Sequence, residues 1–273
     1  MTLSAADKWP WLTAGFRRYT RRYLARSFHA VHLVGQFAAL NDDGRTPLLV
    51  CLNHSSWWDV LVPFFVESEL FGWDLYGVMD ARQLARYRIF AHMGMIGVER
   101  SSLAGAREFL RFSETLLKDQ RRALWLTPQG EMVSNARRPI RFQPGLGHLA
   151  ARLGRFYLIH IALHYEFWNE RLPEAFVRVS EAALYDVAPG ALSPRSFVRD
   201  SERALERELD ALLAAVEGRD SSGMRTLLAG GAGTSPTYDA FRALIARLQG
   251  RRLEREHGRI VTPSWKGRHN DRD

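Results

Sequence analysis

The sequence predicts an α/β fold with a mostly parallel central sheet flanked by helices. Three observations predict it. Apolar runs at 48–52, 123–127 and 156–163 have the length of buried strands. They alternate with longer segments, at 103–117, 146–153 and 194–217, whose apolar residues recur every three or four positions. The chain has 273 residues, 46% of them apolar, which is enough to bury a core of this kind.

The elements follow in order. Residues 9–34 read as one helix. Leu12, Phe16, Tyr19 and Tyr23 make a narrow apolar face, Arg17, Arg18, Arg21 and Arg22 fall on the other side, and Trp9 and Trp11 flank Pro10. Tryptophans, apolar stripe and arginine face together predict a helix lying in a membrane interface, although a surface helix packed on the domain would show the same stripe. Asn41-Asp42-Asp43-Gly44 signals a turn before the strand at 48–52. The chain leaves that strand at 53–56 and a helix begins at 57–66. A second strand is expected at 75–79, and a last one at 175–179. In the helix at 194–217, Leu205, Leu209, Leu212, Leu213 and Val216 share one side. Residues 228–235 are glycine-rich but lack the Lys-Ser/Thr ending of a phosphate loop, so they read as a flexible connection. A final helix is expected at 238–248, ahead of a loose tail.

The formal net charge of +8 is unevenly spread. Residues 1–35 carry six basic side chains against Asp7, and residues 250–273 carry seven against four acids, so the segment between them is neutral. Basic ends on a neutral body point to an anionic surface. Three parts are expected: a basic amphipathic membrane-contacting helix (1–35), an α/β domain (36–220), and a C-terminal helical extension with a basic tail (221–273). A single cysteine excludes a disulfide framework and a multi-cysteine zinc site, and suits a reducing compartment. No uncharged apolar run reaches the ~18 residues of a membrane span, and arginines stand where a signal peptide would be apolar. These features predict a peripheral protein on the cytoplasmic face of a membrane.

The best candidate for chemistry is Asn53-His54-Ser55-Ser56-Trp57-Trp58-Asp59. It leaves the carboxyl end of a strand, where open α/β sheets place their ligands. On one ideal helix, His54 and Asp59 would point about 140° apart. With His54 in a loop and Asp59 in the first helical turn, the chain can bring them together. Asp59 would then hold one ring nitrogen and leave the other as a general base for a hydroxyl. The bland alternative is a turn residue and a helix cap. Cys51, three residues away, sits mid-strand among apolar neighbours where a thiol is not activated. His92, His148, His160 and His164 show no metal-ligand spacing, and no metal is expected.

Two further segments keep the same company. Gly94-Met95-Ile96-Gly97-Val98-Glu99-Arg100 precedes a helix, and Thr127-Pro128-Gln129-Gly130-Glu131 follows a short strand. With His54-x-x-x-x-Asp59, these resemble the glycerolipid acyltransferase family of the lysophosphatidic acid acyltransferase type. Its ordered blocks are Asn-His-x-x-x-x-Asp, Gly-x-Ile-x-x-x-Arg and Phe-Pro-Glu-Gly-Thr-Arg. Phe142-Gln143-Pro144-Gly145 also looks like the family's Phe-x-x-Gly.

The resemblance implies that His54, oriented by Asp59, deprotonates an acceptor hydroxyl. That oxygen attacks the thioester of acyl-CoA or acyl carrier protein directly, with no cofactor beyond this co-substrate. It implies that Arg100 binds the acceptor's phosphate and that Gly97, Gln129, Gly130 and Glu131 line the substrate site; a guanidinium suits phosphate because it donates two parallel hydrogen bonds. Trp57 and Trp58 are expected to line an acyl groove. The expected partners are a membrane surface, a lysolipid acceptor and the acyl donor, with no nucleic acid. This sequence departs from the family at the third block, with Gln129 for Glu, Glu131 for Thr and Met132 for Arg; His160 stands where the fourth block has proline. Arg137, Arg138 and Arg141 are near enough to substitute for the missing arginine. The departures leave open a non-phosphate acceptor such as a glycolipid, and a non-catalytic binding protein is the alternative of another class.

Overall fold

Leu48-Leu49-Val50-Cys51-Leu52 is apolar at every position, and such a run is stable only where both faces of a strand are covered. The computed structural model, which describes residues 8–99, 102–118, 120–168, 170–219 and 221–231, puts this run at the centre of a nine-stranded sheet. The elements in chain order are α1 (Pro10–Ser27), β1 (Ala30–Val34), β2 (Leu48–Leu52), α2 (Leu61–Leu70), β3 (Asp74–Asp80), α3 (Ala81–Arg86), β4 (Met95–Val98), α4 (Leu103–Leu117), β5 (Arg122–Leu126), α5 (Gly145–Leu153), β6 (Arg155–Glu166), β7 (Glu174–Val179), β8 (Ala183–Asp186), α6 (Pro194–Glu217) and β9 (Met224–Ala229).

The strand order is β4-β3-β5-β2-β6-β7-β1-β9, with β8 beside the first half of β6. From β4 to β6 every pairing is parallel, so β2 to β6 send their chains out at one common edge. β7 runs antiparallel to β6, β1 parallel to β7, and β9 antiparallel to β1. The expected α/β class with a mostly parallel sheet is therefore the observed one.

Alternation divides the core. Leu49, Cys51, Leu124, Leu126, Phe156 and Leu158 pack with Leu116 and Leu117 of α4, Leu149 of α5 and Leu205, Leu209 and Leu212 of α6. Leu48, Val50, Trp125, Ile159 and Ile161 pack with Leu24 of α1 and Val62, Phe65 and Val66 of α2.

The structure changes the reading of the two ends. The helix expected at 9–34 stops at Ser27, and residues 30–34 form β1, buried throughout. The reason is local: after Phe28 the 3.6-residue stripe gives way to the continuous run Ala30-Val31-His32-Leu33-Val34, which pairs on both edges. Part of the expected flexible connection, Leu228-Ala229, is likewise the end of β9. Both terminal segments thus contribute a strand to the sheet. The helix expected at 238–248 and the tail lie outside the described residues.

The arginine face of α1 also divides. Arg17 and Arg21 pair with Glu67 (2.9 Å) and Glu69 (2.7 Å) of α2, Arg21 remaining exposed, while Arg18 and Arg22 are exposed without a partner among these acids. Glu67 is fully buried, and burial raises its carboxyl above the usual range against the opposing pull of Arg17. Phe16 packs edge-on against Phe64 and Phe90, fixing α1 to the domain. The outer face keeps Trp11 and Tyr19, which are 69% and 54% exposed.

Candidate active site

Asn53 ends β2 by substituting its side chain for the next ladder bonds. Its Oδ1 accepts from the Leu163 N–H (2.7 Å) and its Nδ2 donates to the Leu163 carbonyl (2.9 Å). The same Nδ2 donates to Asn135 Oδ1 (2.7 Å), and Asn135 donates back to the Leu163 carbonyl (2.8 Å). The loop after β5 is thereby tied to the exit of β2.

His54 inherits this rigidity. Its backbone N–H donates to the buried Gln129 Oε1 (2.8 Å), and its carbonyl accepts from the Val133 N–H (2.7 Å). The chain then makes a single 3-10 turn, Trp57–Asp59, capped by Ser56. This is a capping box, in which the acidic third residue reaches back to the cap's backbone. Asp59 Oδ2 accepts from the N–H groups of Ser55 (2.6 Å) and Ser56 (2.7 Å), which carries it to within 3.0 Å of His54 Nδ1. The five-residue spacing works because the turn folds the carboxylate back. The Ser56-x-x-Asp59 pattern was a signal for this that the sequence reading did not use.

The protonation pattern follows from the donors. Asp59 is buried, and its second oxygen, Oδ1, accepts from the Tyr165 hydroxyl (2.7 Å). With four donors on two oxygens the carboxylate is an acceptor on every side. His54 Nδ1 must therefore carry the proton in their shared bond, and Nε2 is left as an acceptor. The imidazole is 19% exposed, so a substrate can approach it. This arrangement can take a proton from a hydroxyl and hold the resulting imidazolium against a fixed negative charge.

The other candidate residues fall in different places. Gln129 positions the His54 backbone through its Oε1. Gly130 has φ +79°, a conformation that favours glycine, and closes a turn through its N–H to the Thr127 carbonyl (3.0 Å). Glu131 is exposed in the same loop. Gly97 is buried in β4, where an added Cβ would come within 3.2 Å of Ala81 Cα; its smallness lets α3 sit on the strand. Arg100 lies outside the described residues. Of the arginines near enough to replace the family's block-three arginine, Arg138 is bound to Asp210 and Glu206 and Arg141 to Glu202.

Trp57 and Trp58 do not line the apolar cavity beside the 127–130 turn. Trp58 is packed against Tyr23 (5.7 Å) and Phe28 (4.7 Å) on the α1 side, and Trp57 stands edge-on to it and 57% exposed. The apolar cavity lies elsewhere. It has a volume of about 430 Å³ and is lined by Val78, Val98, Ala106, Phe109, Leu110 and Leu126, with the 127–130 turn at its wall. A more polar cavity of about 580 Å³ lies under α6 and includes His160, whose imidazole is pushed down to about 4 by burial and Arg207. Burial pushes the Cys51 thiol up, so it is no nucleophile. Among the described residues, no three His, Cys, Asp or Glu side chains are grouped to hold a metal.

Residues 31–164 match the sequence model of the family described as acyltransferase. The fold is similar to the crystal structure of the 1-acyl-sn-glycerophosphate (LPA) acyltransferase, PlsC, from Thermotoga maritima, with a TM-score of 0.52 and 13% identity, over 74% of this chain and 80% of that one. No curated protein matches the sequence.

Proposed function

Because residues 31–164 place this chain in the acyltransferase family, we propose that it moves a fatty acyl chain from acyl-CoA or acyl carrier protein to a lipid hydroxyl, with His54 as general base and Asp59 as its orienting acid. The observation that carries the reading is the 3.0 Å contact between His54 Nδ1 and Asp59 Oδ2, which leaves Nε2 free to accept a proton. Nε2 takes the hydroxyl proton as the oxygen attacks the thioester carbonyl. The tetrahedral adduct expels the thiolate, and the imidazolium returns its proton to the sulfur. An ester bond forms, a thioester bond breaks, and neither a metal nor an acyl-enzyme takes part.

The apolar cavity supports a long-chain donor. It shares the 127–130 turn with Gln129, so it opens beside the residue that holds His54. Ala106→Trp should narrow it and move the donor preference to shorter chains, measured as kcat/KM across a series of acyl-CoA lengths. An unchanged profile would place the chain outside this cavity.

For the acceptor we infer a lysophospholipid or glycerol-phosphate type of molecule. A glycolipid is the second reading, favoured by one observation: the ion pairs of Arg138 and Arg141 engage two of the cations that would replace the family's arginine. Thiol release from acyl-CoA with lysophosphatidic acid and with a neutral glycolipid separates these acceptors, and no release with any lipid hydroxyl would end the enzymatic reading.

We also propose peripheral contact with the cytoplasmic face of a membrane. Among the described residues, no helix is long and apolar enough to cross one. The exposed Trp11, Tyr19, Arg18 and Arg22 of α1 suit the interface. Trp57, Val60, Met132 and Phe167 are also exposed, on the segments that leave β2, β5 and β6 at the edge where His54 sits. The variant Arg18→Glu/Arg22→Glu should lose most binding to anionic liposomes, and the wild type should bind less as salt rises. Equal sedimentation of both proteins would remove the claim.

A further inference from the structure

We propose that Tyr165 is a positioning residue for the dyad: its hydroxyl pins Asp59 so that the other carboxylate oxygen is presented to His54. The proposal rests on the functional reading above and deepens it. The three donors from the dyad's own turn, Ser55 N–H, Ser56 N–H and His54 Nδ1, all address Asp59 Oδ2. Among the described residues, Oδ1 has one partner, the Tyr165 hydroxyl at 2.7 Å. Without that partner, a buried carboxylate oxygen is left unsatisfied, and the carboxylate is free to swing about its Cβ–Cγ bond and share its charge differently among the donors.

Tyr165 can do this because of where it stands. It lies on β6, far from the turn in sequence, and its backbone is paired with Ala175 of β7. The bond therefore references the dyad to the sheet, which the local capping box cannot do. Phe28, which caps the end of α1, packs against both the Tyr165 ring (5.9 Å) and Trp58 (4.7 Å), so the ring has a fixed neighbour. Burial, together with the Asp59 charge beside it, pushes the phenol well above its usual range, which keeps it a donor at every working pH. Among the described residues, Asn135 also links the site to a titratable pair, His164 and Glu166 of β6, which lie 3.3 Å apart.

Tyr165→Phe tests this directly, since it keeps the ring and its packing and removes one oxygen. Loss of the donor concentrates negative charge toward His54, which favours the protonated imidazole. The expected result is a fall in kcat of about ten- to a hundredfold with little change in KM, and an acid limb of the pH profile displaced to higher pH. The His54 ring, followed by NMR titration without substrate, should likewise titrate at higher pH in the variant. Coincident titration curves, or a kcat within twofold of wild type on an unmoved acid limb, would overturn the proposal. Should the wild type release no thiol at all, the catalytic reading fails, while the NMR comparison still decides the role of Tyr165.

Discussion

Asp59→Asn is expected to lower kcat for acyl transfer by about 10³- to 10⁴-fold while leaving the protein folded. The carboxylate accepts four hydrogen bonds: three at Oδ2 and one at Oδ1. An amide of the same shape has only one oxygen to offer, so it must turn an N–H toward the Tyr165 hydroxyl or toward the Ser55, Ser56 and His54 donors. Turned toward Tyr165, it preserves the turn but removes the negative charge that stabilises the forming imidazolium. Turned the other way, it sets a donor against His54 Nδ1 and forces the proton onto Nε2, the nitrogen needed as base. Either outcome disables proton transfer. Steady-state kcat with acyl-CoA and the best acceptor decides the matter, and a variant within tenfold of wild type would mean that Asp59 is only a helix cap.

His54→Ala should cost at least about 10²- to 10⁴-fold, the usual range for removal of a general base, and leave the donor's KM nearly unchanged. The substitution is clean because the backbone at this position is held independently of the ring. Its N–H is bonded to Gln129 and its carbonyl to Val133, and Asp59 keeps its two backbone donors and Tyr165. The melting temperature should therefore move by only a few degrees, which separates lost chemistry from lost structure. A mutant that turns over at the wild-type rate would reject the general-base role.

Much of the fold and the centre of the site were legible in the sequence, and the reasons differ by element. β2 and the helices at 103–117 and 194–217 are long or uniformly apolar enough for their period to be read directly, and the structure places them at those positions. The edge strands were harder. β1 follows an amphipathic helix after a two-residue break, so its apolar residues look like a continuation of the stripe. β8 is mostly exposed and β9 half exposed, since each pairs along a sheet margin rather than inside it. Within the site, the proximity of His54 and Asp59 followed from a loop-to-turn transition. The roles of Tyr165 and Asn135 depend on contacts between residues 28 to 106 positions apart, which local spacing does not encode. Gln129 shows the limit of a motif: it stands where the family has an acid, yet its oxygen is spent on the His54 backbone. The tryptophans neighbour His54 in sequence, but Trp58 packs toward α1 and Trp57 stands edge-on to it and exposed, while the apolar cavity opens on the α4 and α5 side of the sheet.

The most direct test counts thiol and ester together in a single-turnover reaction of labelled acyl-CoA with a lysolipid, in the wild type and in His54→Ala. Direct transfer predicts one ester formed for each thiol released, no label on the protein at any time, and neither product above background in the variant. Label accumulating on the wild-type protein, or thiol release that persists without His54, would contradict it.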